Sequence, residues 1–250
     1  MKILFPGKTG ASALLATGLA IASAMMAAPS AQAFVITSQL TGDPRVRNPD
    51  GLVVDVTIKS GQDGIADHQA LWTVDLNSPA HTNIKLGGFF FNLANSIKGA
   101  VSFSGFDPTG WAIVSSNGNA EGSGGADFQF ELIDSKDIQG KPDDITNSRS
   151  LSFLMSYAGG VLQAADFLNA PSSSSGDLVL GSGQLGAHLQ SLTVNSTTCS
   201  QGECSDSGFA MGNYESEQTS VPEPGTVAAL GVFAVGSLGL LRKKAKQVQA

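Results

Sequence analysis

Through most of the middle of the chain apolar residues fall on every second position, the period that puts successive side chains on opposite faces of a β-strand. Val54, Val56 and Ile58 alternate with Asp55 and Thr57, and Trp72, Val74 and Leu76 alternate with Thr73, Asp75 and Asn77. The pattern recurs at Phe89, Phe91 and Leu93, and at Phe128, Phe130 and Leu132 against Asp127, Gln129 and Glu131. It returns at Leu151, Phe153, Met155 and Tyr157. Further strands are predicted over 100–106, 111–115, 178–180 and 187–194, while 161–168 suits a helical turn or two. Turn chemistry separates the strands: Asp63-Gly64, Asp107-Pro108, Asn117-Gly118, Gly122 to Gly125 and Lys141-Pro142-Asp143-Asp144. Many short strands with Gly-rich breaks predict an all-β fold over 34–211, two antiparallel sheets packed face to face as a jelly-roll-like β-sandwich. Pro171 to Gly176 reads as a surface loop inside it, and 212–220 as a polar linker after it.

Both ends of the chain break the alternation. Lys2 and Lys8 precede an apolar run from Ala11 to Ala28, and Ala31-Gln32-Ala33 supplies a small-x-small cleavage site. Residues 1–33 therefore read as a secretory signal peptide, with the mature chain starting at Phe34. At the other end stands Val221-Pro222-Glu223-Pro224, then an apolar run from Gly225 to Leu241, then Arg242, Lys243, Lys244 and Lys246. Seventeen residues make a helix of about 25 Å, a short transmembrane span. The basic tail 242–250 should stay cytoplasmic, which places everything before Val221 outside. Gly225, Gly231, Gly236 and Gly239 thin one side of this helix, as in helices that pack closely on a membrane partner.

The order of Pro-Glu-Pro motif, apolar helix and basic end over 221–250 resembles the C-terminal sorting signal of bacterial PEP-CTERM proteins. That resemblance implies an exosortase-type membrane protease as partner, with Val221 to Pro224 as its motif. It also implies passage from a transient inner-membrane anchor to the cell surface or an exopolysaccharide matrix. An ordinary stop-transfer anchor is the alternative reading of the same segment. The stretch from Ala187 through Ser207-Gly208-Phe209 is more loosely similar to the last strands of such ectodomains and carries no chemistry.

Charge sharpens this picture. Between Phe34 and Ser220 there are 20 Asp and Glu against 8 Lys and Arg, a net charge near −12 where the whole chain carries −7. An acidic body is a poor partner for nucleic acid or anionic lipid and stays soluble outside the cell. The two cysteines, Cys199 and Cys204, sit close enough to form a local disulfide in an oxidising compartment, which closes one loop rather than holding the domain. Zinc would need two further ligands, and His68, His81 and His188 offer no obvious pair.

The candidate chemistry is sparse. Gly181-Ser182-Gly183-Gln184-Leu185-Gly186 has dinucleotide-binding spacing, but the residues after it read as a strand where that motif needs a helix. His188 is a lone strand histidine without a visible catalytic partner. Asp63 with Asp67, Asp134 with Asp137, and Asp143 with Asp144 could offer loop oxygens to Ca²⁺, with Asp143 and Asp144 the nominees; no other cofactor is implied. Trp72, Trp111 and Tyr157 could stack on sugar, but each lies where the alternation wants a core residue. The sequence therefore points to a non-enzymatic surface protein, structural or adhesive in extracellular polysaccharide or biofilm. A carbohydrate-binding module would instead need exposed aromatics, and a secreted hydrolase a cleft with paired carboxylates or a histidine beside a nucleophile.

Overall fold

The computed structural model describes residues 33–42, 47–115, 118–119, 127–134, 144–174, 182–200, 202 and 204–217. Strands β1 (Phe34–Gly42), β2 (Val53–Ser60), β3 (Gln69–Leu76), β4 (Lys85–Phe91) and β5 (Val101–Asp107) come first. They are followed by β6 (Trp111–Ser115), β7 (Gly118–Asn119), β8 (Asp127–Phe128), β9 (Phe130–Asp134) and β10 (Leu151–Tyr157). A single turn of helix, α1 (Ala165–Leu168), precedes β11 (Ser173–Ser174), β12 (Ser182–Gly183), β13 (Leu185–Gln190), β14 (Gly208–Gly212) and β15 (Glu215–Glu217). The all-β, antiparallel expectation holds.

Ten strands run in the order β5-β10-β3-β2-β1-β14-β13-β4-β9-β6, and β15 adds to the free edge of β1, giving one sheet of 11 strands. Two separate sheets were expected; here the two facing layers are halves of one sheet. The reason lies in β1. It pairs with β2 along its whole length, with β15 at Val35 to Thr37, and with β14 at Thr41 and Gly42, so it joins the halves. The outermost strands, β5 and β6, are consecutive in the chain and linked by only 108–110, with a cis Asp107–Pro108 bond. The sheet therefore comes close to closing on itself.

Alternation decides which face is inside. Along β2 and β3 every second residue is buried, which turns Val54, Val56, Ile58, Trp72, Val74 and Leu76 inward and Asp55, Thr57, Thr73 and Asp75 outward. Rings from distant strands meet in the interior. Trp72 of β3 lies 4.7 Å from Phe91 of β4 and stacks at 5.3 Å on Phe153 of β10, while Phe103 of β5 meets Phe130 of β9 edge-on at 5.3 Å. Each buried ring contributes about 1.5–3 kcal/mol by burial and each aromatic pair about 0.5–1.5 kcal/mol more. The helical turn adds Phe167, fully buried against Phe34 and Trp72.

A second, smaller core lies on the outer face. Phe90, Phe209 and Met211 point away from the main core, and Phe128 of β8 covers them. This packing needs Gly186, because a Cβ there would come within 2.9 Å of the ring tips of both Phe128 and Phe209. On β5, Gly105 has φ +63° where the pairing with β10 slips between Ser152 and Leu154. That bulge bends the edge strand, which discourages edge-to-edge association.

Two expectations change. Residues 212–217, read as linker, belong to the fold: Gly212 ends β14, 215–217 form β15, and Tyr214 is buried. Ser173, read as part of a surface loop, is buried in β11. The predicted strand at 178–180, Asn117, Gly122 to Gly125, Lys141 to Asp143, Asp137, Gly181, residues 218–220, the expected signal peptide before Ala33 and the entire 221–250 segment lie outside the described residues. Among the described residues no helix is long and apolar enough to cross a membrane.

Candidate functional site

The aromatics nominated for sugar stacking are core residues. Trp72 is fully buried and Trp111 only 2% exposed, and neither indole N–H has a protein partner among the described residues. Tyr157 is half-buried and packs against the same core. Their role is volume, which removes the tryptophans from any outward platform.

The glycine-rich stretch is equally structural. Gly183 and Gly186 sit on strands β12 and β13, where a side chain on Gly183 would strike the carbonyl of Gly212 at 2.7 Å. Between them Gln184 is buried, and every polar atom of its amide is engaged. Nε2 donates to the carbonyls of Leu168 (3.1 Å) and Ala170 (2.6 Å), and Oε1 accepts from Tyr214 N–H (3.0 Å). Asn92 does the same nearby. Its Nδ2 donates to Pro171 O and Ser173 Oγ, both at 2.8 Å, its Oδ1 accepts from Gln129 N–H, and its carbonyl accepts the Tyr214 hydroxyl at 2.7 Å. Burial pushes the Tyr214 hydroxyl well above the ordinary tyrosine pKa. This network ties the residue after β4 and the residue between β14 and β15 to α1 and β11.

His81 is a second internal tie that sequence reasoning did not single out. It is fully buried, and Nε2 lies 2.8 Å from the carbonyl of Asp50 while Nδ1 lies 3.1 Å from Thr193 N–H. A carbonyl only accepts and an amide N–H only donates, so the proton sits on Nε2 and both nitrogens are occupied. His81 thus joins three loops at one end of the sheet. The disulfide closes over the same end: Cys199 and Cys204 are bonded, with Cα atoms 5.7 Å apart. Beside it Asp50 accepts from the hydroxyl and the N–H of Ser200, and those two bonds, the hydroxyl first, hold its carboxyl below the ordinary value. His188 contacts Ser207 Oγ at 2.8 Å on the outer side of β13.

Of the calcium nominees, Asp143 lies outside the described residues, and Asp144 bonds Lys85 Nζ at 2.6 Å. That bond engages one oxygen of the carboxylate, Oδ2. Asp63 pairs with Lys59 at 3.0 Å, and Asp67 lies 3.4 Å from His68. No three acidic, histidine or cysteine side chains converge among the described residues. Of the residues expected at signal cleavage, Ala33 and Phe34 are described, and β1 begins at Phe34. They line a 280 Å³ cleft with Gln163, Ala164, Ala165, Leu168 and Asn169.

An aligned set of outward side chains lies on the half-sheet β15-β1-β2-β3-β10-β5. Register places Glu215, Thr37, Thr57, Thr73, Ser152 and Asp107 opposite one another in a single row across six strands. At about 4.8 Å per strand the row is about 24 Å long. All six are half-buried or exposed, and none of the four hydroxyls bonds another protein group among the described residues. One flanking row carries Gln39, Asp55 and Asp75, with Asp55 held by Gln39 Nε2 (3.0 Å) and Asn77 Nδ2 (2.9 Å) and Asp75 by the Ser150 hydroxyl. The other carries Val35, Lys59, Leu71 and Leu154. Each strand separately shows a mix of polar and aliphatic outward positions, and pairing is what lines them up in rows. No protein-family model matches the chain, and neither a curated protein nor a solved structure matches it.

Proposed function

We propose that this chain is an exported surface protein, delivered by an N-terminal signal peptide and a C-terminal PEP-CTERM-like tail, whose folded body works by structure and adhesion in an extracellular polysaccharide matrix. The observation that carries the reading is the order of parts in 221–250: Pro222-Glu223-Pro224, the apolar run to Leu241, and Arg242, Lys243, Lys244 and Lys246. Two structural features support it. Strand β1 begins at Phe34, the residue read as the mature N-terminus. A disulfide between the only two cysteines suits an oxidising compartment. An adhesive rather than catalytic body is favoured by the polar side chains of the interior, because Asn92, Gln184 and His81 use their hydrogen-bonding atoms to hold backbone and Ser173.

Replacing Pro222, Glu223 and Pro224 by alanine tests the sorting reading. Export should persist while an uncleaved form accumulates in the inner membrane, and mass spectrometry of the wild-type protein should find termini at Phe34 and near Val221. Unchanged maturation in the triple variant would remove the exosortase from the account.

A further inference from the structure

We propose that the outward face of β15-β1-β2-β3-β10-β5 binds an extended amine-bearing polysaccharide, laid across the strands along the row Thr37-Thr57-Thr73-Ser152. The proposal rests on the adhesive reading of the body and names its ligand class and its site.

Three properties of the face select this ligand. The first is the row itself: four hydroxyls that can each donate and accept, one strand apart, with no protein partner among the described residues. Opposed Thr–Thr and Thr–Ser pairs stabilise a sheet when their hydroxyls bond each other, but these four do not bond one another among the described residues. A chain of pyranose rings offers hydroxyls at a comparable repeat along its length. The second is the aliphatic row of Val35, Leu71 and Leu154, half-buried and parallel to the hydroxyls, which suits the C–H edge of a sugar ring. The third is charge. Asp55 and Asp75 stand directly opposite one another, and Glu215 and Asp107 end the hydroxyl row. The one ammonium in these three rows, Lys59, is paired with Asp63. Like charges placed opposite in a sheet destabilise it. Their presence beside free hydroxyls favours a ligand that brings ammonium groups, as a partly N-deacetylated amino-sugar polymer does, over a neutral or uronate polymer.

The test measures binding of the full-length protein, in detergent and with EDTA, to chitosan oligomers. Cello-oligosaccharides and oligogalacturonate serve as the neutral and anionic comparators. Chitosan should bind best, and binding should weaken when its amines are acetylated. Asp55→Asn with Asp75→Asn, and separately Thr57→Val with Thr73→Val, should each weaken it about tenfold, the scale of one or two lost hydrogen bonds. The threonine variant matters most, because it keeps strand shape and net charge. Unchanged affinity there would reduce the binding to general attraction between an acidic protein and a polycation and overturn the proposal. Equal or tighter binding of either comparator, or no chitosan binding by a protein whose circular dichroism is native, would also overturn it. Normal tail processing without chitosan binding would sink this inference and spare the sorting reading; binding without processing would do the reverse.

Discussion

At the residue scale the stability of the body depends in part on a few polar side chains at strand ends and in the loops between strands. Tyr214 is buried, and its hydroxyl donates to the carbonyl of Asn92. Tyr214→Phe would leave that carbonyl without this donor and should lower stability by about 1–3 kcal/mol near neutral pH. The same residue has a pH signature. Its folded pKa is raised by burial, so its contribution is complete below the ordinary value of 10.0 and is lost as pH rises toward the folded one. Denaturant midpoints measured across that range should fall less steeply in Tyr214→Phe than in the wild type, and parallel curves would refute the assignment. Asp50 has the opposite sign. Its carboxyl is depressed below 3.8 by Ser200, so its stabilisation is present above that value and disappears as pH falls through the depressed one. NMR titration should find the Asp50 midpoint low in the wild type and closer to ordinary in Ser200→Ala; no change would mean that the bond contributes nothing in solution.

At the scale of elements, what could be read from the chain depended on how each strand is buried. Strands with one face in water, such as β2, β3 and β10, announce themselves by alternation. β14 does not, because both of its faces are covered: Phe209 and Met211 enter the outer cluster and Ala210 the main core. β1 is hidden differently, with Ser38 at an inward position and Phe34 directly after the segment read as a signal peptide. Without these two strands the pattern predicts two sheets, and with them there is one. The candidate binding face was illegible for a related reason: Thr37, Thr57, Thr73 and Ser152 lie on four strands far apart in sequence, and only pairing register sets them in a row. The glycine-rich segment shows the converse, since its spacing suggests a nucleotide and its cause is packing. Gly186→Ala should therefore cost about 1–3 kcal/mol through overpacking against Phe128 and Phe209, read from urea denaturation. A neutral result would show that the outer cluster yields easily.

At the scale of the whole sheet, continuity has a thermodynamic consequence. Trp72 on β3 and Trp111 on β6 lie in different halves of the strand order, yet both belong to the same buried cluster. If β1 couples the halves through its pairings with β2 and β14, neither half keeps its inner face covered when the other opens. Unfolding should then be a single transition. The disulfide should not alter that, because Cys199 and Cys204 enclose one short loop outside the sheet. Replacing both by serine should lower stability by about 2 kcal/mol on the chain-entropy account, with the cooperativity unchanged. The decisive measurement follows each tryptophan alone, in Trp72→Phe and Trp111→Phe, beside far-ultraviolet circular dichroism. Within each variant the fluorescence and dichroism midpoints should coincide. Loss of Trp111 fluorescence before loss of β-structure would mean that β6 and its neighbours open separately, and that the near-closure at β5 and β6 does not hold the two ends of the sheet together.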